Sequence, residues 1–187
     1  MPITTLDPRS ALIVIDLQQG LRGYPTIHPF DGIVARAAEL AAAFRRHGLP
    51  VVLVNVSGRP PGRIDQARAA SPWPPGWDEL LPELDAQPAD LRITKLAPGA
   101  FGDTPLAAEL RGRGVTQVVV VGVSTSMGVE ATARQAFDLG FHVTLPVDAM
   151  TDVDAPLHEH AVQRIFPRIA QTGSTADVLA LLAARGA

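Results

Sequence analysis

Apolar and polar positions along the chain follow two different periods. Continuous apolar runs occur at ALIVIDL (11–17), PVVLVNV (50–56), LRITK (91–95), QVVVVGV (117–123) and HVTLPVD (142–148). Short runs without alternation, bounded by turn residues, predict strands that are buried on both faces. The chain therefore predicts at least five strands of a covered sheet.

Segments with helical spacing separate these strands. The clearest is DGIVARAAELAAAFRRHG, where apolar residues recur every three or four positions. Asp31 is predicted to cap its start and Gly48 to close its end. Further helices are predicted to begin at Thr104-Pro105, within MGVEATARQAFDLG, at about Asp154 (ending near Phe166) and within STADVLALLAARG, with a short extended piece near Ile169.

Strands that alternate with helices predict an α/β fold with a parallel sheet covered on both sides. A length of 187 residues suits a single domain, 1–187, with a sizeable core. The region 57–90 interrupts the alternation of strands and helices, and it is rich in proline and carries both tryptophans. We predict that it is a long excursion over the carboxyl edge of the sheet, since it is too short for a core of its own.

Composition narrows the functional classes. The chain is 47% apolar and 19% charged with a net charge of -3, which indicates a globular protein without a basic footprint for nucleic acid or an anionic membrane. It contains no cysteine, so disulfides and thiolate catalysis are excluded. The apolar run 11–17 is too short for a signal core or a membrane span, which predicts a soluble cytoplasmic protein.

Asp16 and Lys95 stand out at the predicted strand ends, because each is a charged residue at the end of an apolar strand. Ligands of parallel α/β sheets bind at the carboxyl ends of the strands, and a buried charge is costly unless it is paired. Two interpretations stay open: a structural ion pair, or a carboxylate acid/base tuned by a neighbouring ammonium. Other polar residues at predicted strand ends are Asn55, Ser57, residues 124–128 and Asp148.

Three motifs carry a family resemblance. LIVIDLQ, TKLAPGAFGDTPL and GVSTSMGVEATARQAFDLGFHVTLPVDAMTD occur in this order and spacing. Together they resemble the isochorismatase-like hydrolases, or cysteine hydrolase superfamily, over nearly the full chain. The resemblance implies a Rossmann-like three-layer α/β/α sandwich with a mostly parallel six-stranded sheet. It also implies a small-molecule substrate and a homodimer or larger homo-oligomer.

The resemblance also assigns residues. Asp16 matches the catalytic aspartate of the family, Lys95 the catalytic lysine, and Gly128 the position of the nucleophilic cysteine. The Val123–Ser124 bond matches a cis peptide that helps to form an oxyanion hole, whose donors would be the Ser124 and Gly128 amides. The expected substrate-binding residues are Gln18, Val123, Ser124, Thr125 and Trp77.

The chain departs from the family at two places. Gly128 has no side chain, so an acyl-thiol intermediate is impossible there, although a helix start still offers N–H donors. The metal-binding nicotinamidases of the family carry D-x-H after strand two, where this chain has VNVSGRPPGR. No metal site and no cofactor are therefore expected.

Three functional hypotheses follow. In the first, the protein is a hydrolase that uses Asp16 as acid/base, Lys95 to tune the aspartate and the Ser124 and Gly128 amides to hold substrate oxygens, as in hydrolysis of a vinyl ether. In the second, a hydroxyl within 124–126 is the nucleophile of an amide hydrolase, with Lys95 as base. In the third, the protein is a catalytically inactive binding or assembly protein on the family scaffold.

Several side chains have both structural and functional interpretations. The histidines of HEH (158–160) lie two apart, so they do not share a helix face and are predicted to be surface residues. Glu130 is placed to complement the dipole of its helix or to contact substrate.

The proline-rich excursion holds four more candidates. Trp73 and Trp77 suit either a pocket wall or packing of the loop or a subunit contact. Arg59 and Arg63 suit either a substrate carboxylate anchor or solvent exposure.

Overall fold

One parallel sheet forms the centre of the molecule. The computed structural model describes residues 3–65 and 73–185. Its strands are β1 (Ser10–Ile15), β2 (Val51–Val56), β3 (Leu91–Lys95), β4 (Gln117–Val123), β5 (His142–Pro146), β6 (Met150–Thr151) and β7 (Gln171–Gly173). Each strand pairs in parallel, in the order β3-β2-β1-β4-β5-β7, with β6 on the end of β4. The predicted sheet is confirmed, and β6 is an addition to it.

Helices cover both faces of the sheet. They are α1 (Phe30–Arg46), α2 (Leu106–Gly112), α3 (Glu130–Asp138), α4 (Ala155–His160) and α5 (Thr175–Ala183). One buried cluster joins the sheet to α1 and α5, and a second joins it to α2 and α3. Strand β1 supplies Leu12 and Val14 to the first cluster and Ile13 and Ile15 to the second, which explains why its sequence is apolar throughout. This is the predicted three-layer sandwich.

Some predicted boundaries shift. Strand β5 ends at Pro146, and Asp148 lies in the following 3-10 turn, not at a strand end. Its carboxylate accepts a 2.7 Å hydrogen bond from the Thr175 amide at the start of α5, so it stabilises a helix start. Asp31 lies in the first turn of α1 and does not cap it. Gly48 closes α1 as predicted, with φ +64°.

The strand order reverses between β1 and β4, and ligand sites of parallel α/β sheets lie at such a topological switch point. Gly122 near the end of β4 has φ +117°, and a Cβ there would lie 2.1 Å from the carbonyl oxygen of Ile15. The two strand ends therefore approach each other at a distance that only glycine permits. As a result, the residue after β1 lies beside the turn after β4.

The proline-rich excursion crosses the carboxyl edge of the sheet, as predicted. Asn55 Nδ2 donates to the carbonyl of Asp78 over 2.8 Å, and the Gln19 amide donates to Glu79 over 2.8 Å. Residues 66–72 of the excursion lie outside the described residues. In the part of the chain that the structure describes, no helix is long and apolar enough to cross a membrane.

Candidate active site

The central pair of the site joins two strand ends across β2. Asp16 directly follows β1, and Lys95 is the last residue of β3. Lys95 Nζ lies 2.7 Å from Asp16 Oδ2, and the two side chains are 2% and 7% exposed. The contact predicted from the strand ends is confirmed, and the pair is buried.

The backbone and the second carboxylate oxygen distinguish Asp16. Its φ is +53°, in the left-handed region that aspartate and asparagine tolerate better than most residues. Its amide donates to the carbonyl of Val54 over 2.9 Å, which fixes the turn after β1. Oδ2 accepts from Lys95, whereas Oδ1 is buried and has no hydrogen-bond partner among the described residues.

Burial controls the protonation of this carboxyl group. Loss of solvation raises the pKa of Asp16 from 3.8 to about 6, while the charge and the hydrogen bond of Lys95 act in the opposite direction. A carboxyl group with a pKa in this range exchanges protons close to neutral pH, as acid and base catalysts do.

The turn after β4 forms a second wall of the site, next to Asp16. The Val123–Ser124 peptide is cis, as the resemblance implies. A π-helical turn, Thr125–Val129, follows and leads into α3. A Cβ on Gly128 would lie 2.8 Å from Ile15 Cγ2, 2.9 Å from the Val123 carbonyl oxygen and 3.2 Å from Asp16 Oδ2. Gly128 therefore lies directly against the carboxylate, and its surroundings are packed around a residue without a side chain.

These residues line one cavity of about 360 Å³. Six of the sequence-predicted site residues meet in its wall: Asp16, Lys95, Val123, Ser124, Gly128 and Trp77. The remaining lining is mostly apolar and includes Leu21, Tyr24, Val56, Ile64, Trp73, Leu96, Pro98 and Met127, with Arg59 as a further charged residue. The site is thus a buried charge pair beneath an apolar chamber.

Two predicted substrate-binding residues do not line the described part of this cavity. The Gln18 side chain is fully buried, accepts from the Val56 amide (2.8 Å) and donates to the carbonyls of Val56 (3.0 Å) and Trp77 (3.2 Å). Thr125 is also fully buried, and its Oγ1 lies 2.9 Å from His158 Nδ1. Their polar atoms are engaged with the protein itself, so both residues hold elements in place.

The three hydroxyl residues 124–126 also differ in whether they line the cavity. Ser126 donates to Asp152 Oδ2 through both its amide and its Oγ, each over 2.8 Å. Neither Ser126 nor Thr125 is among the described lining residues, whereas Ser124 is. A nucleophilic hydroxyl within 124–126 would therefore have to be Ser124.

The two histidines of HEH (158–160) also differ in their surroundings. His160 is exposed, as predicted, but His158 is half-buried against Thr125 and against the ring of His28, whose centroid is 5.0 Å away. Burial and the charge of His28 lower the pKa of His158. The described residues contain no cluster of three or more histidine, cysteine, aspartate or glutamate side chains placed to hold a metal ion.

Other candidates lie apart from the carboxylate. Glu130 in the first turn of α3 pairs with Arg134 at 2.9 Å. Arg63 is not among the described lining residues. Sequence reasoning missed Tyr24, Leu96 and Met127 as lining residues. Only Leu96 carried a usable signal, because it directly follows Lys95.

Comparison with known proteins extends this description. The isochorismatase domain matches residues 10–177. The isochorismatase family protein YecD of Escherichia coli O157:H7 is 39% identical over 181 residues, which cover 91% of this chain and 94% of that protein. A streptothricin hydrolase of Streptomyces noursei is 35% identical over 150 residues, or 80% of this chain and 57% of that protein. The ureidoacrylate amidohydrolase RutB of Variovorax paradoxus (strain S110) is 30% identical, covering 75% of this chain and 68% of that protein.

Solved structures agree with the sequence matches. An isochorismatase family protein from Burkholderia thailandensis superposes with a TM-score of 0.91 at 37% identity, covering 97% of this chain and 98% of that one. The pyrazinamidase of Pyrococcus horikoshii in complex with zinc gives a TM-score of 0.77 at 28% identity, covering 89% and 99%. Three of these relatives are named for a hydrolase activity: streptothricin hydrolase, ureidoacrylate amidohydrolase and pyrazinamidase. The chain therefore belongs to the isochorismatase family of hydrolases.

Proposed function

We propose that this protein hydrolyses a small molecule by acid–base chemistry without a covalent intermediate. The observation that supports this most directly is the buried Asp16–Lys95 pair, whose aspartate lines the cavity and has one buried carboxylate oxygen without a partner among the described residues. A purely structural ion pair has no need of an unsatisfied buried oxygen, which costs free energy. The residue against that carboxylate, Gly128, offers no nucleophilic atom.

We assign the exchangeable proton of Asp16 to one of its two carboxylate oxygens. Lys95 donates to Oδ2, so the exchangeable proton of Asp16 resides on Oδ1. After Asp16 has given its proton to the substrate, the carboxylate that remains is stabilised by the ammonium group 2.7 Å away. The same carboxylate then accepts a proton from the attacking water, which restores the acid.

The turn after β4 supplies the complementary polar groups. Ser124 directly precedes the helical turn Thr125–Val129, Gly128 lies within it, and both residues border the cavity. We assign their backbone amides the role of holding a substrate oxygen on which negative charge develops or resides. Glycine at 128 brings its backbone close to the reacting atoms, since no Cβ intervenes.

Vinyl ethers and activated amides are the substrate classes to test. In a vinyl ether, Asp16 protonates the terminal carbon of the double bond, water adds to the resulting oxygen-stabilised cation, and the hemiketal collapses to a carbonyl compound and an alcohol. Amides enter because relatives of this chain are named streptothricin hydrolase and ureidoacrylate amidohydrolase. In this chain an amide would be attacked by water directly.

The test combines turnover with a search for a covalent intermediate. Purified protein is assayed against matched vinyl ethers, amides and esters, and intact-mass spectra are recorded during turnover. We expect hydrolysis without any mass increment, and a loss of rate at least about tenfold larger in Asp16→Asn than in Ser124→Ala. A substrate-dependent increment that disappears in Ser124→Ala would instead establish a serine nucleophile. Tight binding without turnover would establish a binding protein.

A further inference from the structure

We propose that Asp152 is a positioning residue for the proposed reaction. It holds the turn Thr125–Val129 in the orientation that lets the amides of Ser124 and Gly128 meet a substrate oxygen. The proposal rests on the proposed function, because these two amides have their role only there. It is carried by the hydrogen bonds of a buried carboxylate that is not among the described lining residues of the cavity.

Asp152 is buried without a paired cation. The residue is 2% exposed, and no ion pair among the described residues includes it. Three donors satisfy the carboxylate instead: the amide and the hydroxyl of Ser126 donate to Oδ2 and the Val153 amide donates to Oδ1, each over 2.8 Å. A buried carboxylate is costly unless donors hold it, so this charge depends on the position of Ser126. The carboxylate and the turn therefore fix each other.

Strand β6 anchors Asp152 on its other side. This two-residue strand pairs with the end of β4, with Thr151 opposite Val123, and Asp152 directly follows it. The carbonyl of Asp152 also accepts from the Ile27 amide over 2.8 Å. The carboxylate is therefore held beside the strand end from which the turn begins.

The bond to Asp152 connects the turn to another element of the fold. The Met127 and Val129 amides donate to the Ser124 carbonyl over 3.1 Å, and these two bonds lie within the turn and its preceding residue. The Ser126 amide differs, because its acceptor belongs to the segment after β6. Since this amide lies between the two that are assigned to the substrate, one carboxylate sets the direction of both.

His158 gives the same turn a second contact. Its Nδ1 lies 2.9 Å from Oγ1 of Thr125, the fully buried first residue of the turn. His158 lies on α4, whose start is fixed because Asp154 Oδ1 accepts from the Leu157 amide over 2.9 Å. The segment 152–158 therefore contacts the first two residues of the turn, through one carboxylate and one imidazole.

Asp148 provides a matched control only four residues away. Its Oδ1 accepts from the amide and the hydroxyl of Thr175 at the start of α5, over 2.7 and 3.0 Å. The two aspartates thus make the same pair of contacts to two different helical elements, of which only the turn held by Asp152 borders the described cavity. A role in stability alone predicts similar consequences for both aspartates.

The experiment compares Asp152→Ala with Asp148→Ala at a temperature at which circular dichroism shows both variants to be folded. We expect Asp152→Ala to lower kcat about tenfold or more with KM changed less than about threefold, because misdirected amides fail a charge that develops during the reaction. Asp148→Ala is expected to keep the wild-type kcat. Asp152→Asn retains one oxygen that can accept from both Ser126 donors, so we expect an intermediate loss of about threefold.

Amide hydrogen exchange reports on the turn without turnover. In Asp152→Ala we expect the amides of residues 125–129 to exchange at least about tenfold faster than in the wild type, because the turn has lost its contact with the segment after β6. In Asp148→Ala the faster exchange is expected at the start of α5 instead. Unchanged exchange at the turn in Asp152→Ala overturns the proposal.

A wild-type kcat in Asp152→Ala also overturns the proposal, as does an equal loss of kcat in Asp148→Ala. Where Asp152→Ala does not fold, Asp152→Asn takes its place, with Asp148→Asn as its control. Turnover that is lost in Asp16→Asn but unchanged in Asp152→Ala leaves the proposed function standing and removes the positioning role. Wild-type turnover in Asp16→Asn with a low kcat in Asp152→Ala has the opposite meaning.

Discussion

Two ion pairs in this molecule, one buried and one partly buried, have the same length and different surroundings. Lys95 lies 2.7 Å from Asp16, and Arg45 lies 2.7 Å from Asp90. Asp90 is fully engaged, because Oδ1 accepts from Arg45 Nε (3.1 Å) and Oδ2 accepts from Arg45 Nη2 (2.7 Å) and from the Gln87 amide (2.8 Å). Asp16 has one oxygen satisfied and one without a partner in the described chain.

The comparison shows which features distinguish a candidate reactive carboxylate from a structural one. Pairing distance does not, since it is identical in the two pairs. The guanidinium of Arg45 bridges both oxygens of its partner, as in a stable structural pair. The ammonium of Lys95 is a point donor that leaves Oδ1 without a partner in the described chain, on an aspartate that lines the cavity. The predictions below break one pair or the other.

The largest expected effect is the loss of turnover when Asp16 is replaced by a residue that cannot act as an acid. Asp16→Asn keeps the shape of the side chain but cannot act as an acid, so we expect kcat to fall by about 10²–10⁴-fold with the fold intact. Initial rates on the best substrate of the panel, with circular dichroism as a check of the fold, measure this effect.

Asp90→Asn is the matched control. It removes a carboxylate from the other, partly buried pair, so we expect wild-type turnover and a loss of about 1–3 kcal/mol in the free energy of unfolding, measured in urea. An Asp16→Asn variant with the full rate would make Asp16 structural and end the acid mechanism.

The next effect is a shift in the pH profile. The acid must be protonated, so kcat/KM is expected to fall as pH rises through about 6, the raised pKa of Asp16. The charge and hydrogen bond of Lys95 lower this pKa, so Lys95→Met should move the midpoint to higher pH. Arg45→Met breaks the other pair and should leave the midpoint in place. A midpoint that moves to lower pH in Lys95→Met would contradict the assignment.

A smaller effect is expected from restoring a cysteine. In Gly128→Cys the new Cβ would meet Ile15 Cγ2 at 2.8 Å and the Val123 carbonyl at 2.9 Å, so we expect a loss of about 1–3 kcal/mol in stability from overpacking. Turnover of the native substrate should not rise, because no acyl intermediate is formed.

Gly112→Cys on α2, where nothing lies within 4 Å of an added Cβ, controls for the thiol alone. A many-fold gain of native turnover in Gly128→Cys would identify the chain as a thiol hydrolase that has lost its nucleophile.

The smallest expected effect is no change. The chain has no cysteine, and VNVSGRPPGR replaces the D-x-H of the metal-binding nicotinamidases. We therefore expect activity to withstand both thiol reagents and a chelator. Loss of activity with the chelator and recovery with added zinc would disprove metal independence.

The strands and the Asp16–Lys95 pair can be predicted from the sequence for the same reason. Apolar runs indicate buried strands, and a charge at the end of such a run needs a partner at the shared edge of the sheet, which predicts that Asp16 and Lys95 meet. The direction of the Gln18 side chain cannot be predicted in this way. Gln18 lies two residues beyond Asp16, yet it points to Val56 and Trp77, since the left-handed turn at Asp16 redirects the chain.

Short and irregular elements were also beyond a periodic pattern. Strand β6 has two residues, and the turn Thr125–Val129 is π-helical, so neither produces a repeat that a sequence reveals. Asp148 was misplaced because the strand stops at Pro146 and its carboxylate serves the start of α5. Each difference arises where a contact distant in sequence determines the local backbone.

The left-handed backbone at position 16 has a consequence for genetic experiments. With φ at +53°, alanine or a β-branched residue there carries a strain of about 1–2 kcal/mol in addition to the lost carboxylate. An alanine scan would therefore mix misfolding with chemistry at the position that matters most. A codon-saturation library at this position, selected for soluble protein alone, should return aspartate, asparagine and glycine, and a second selection for activity should return aspartate.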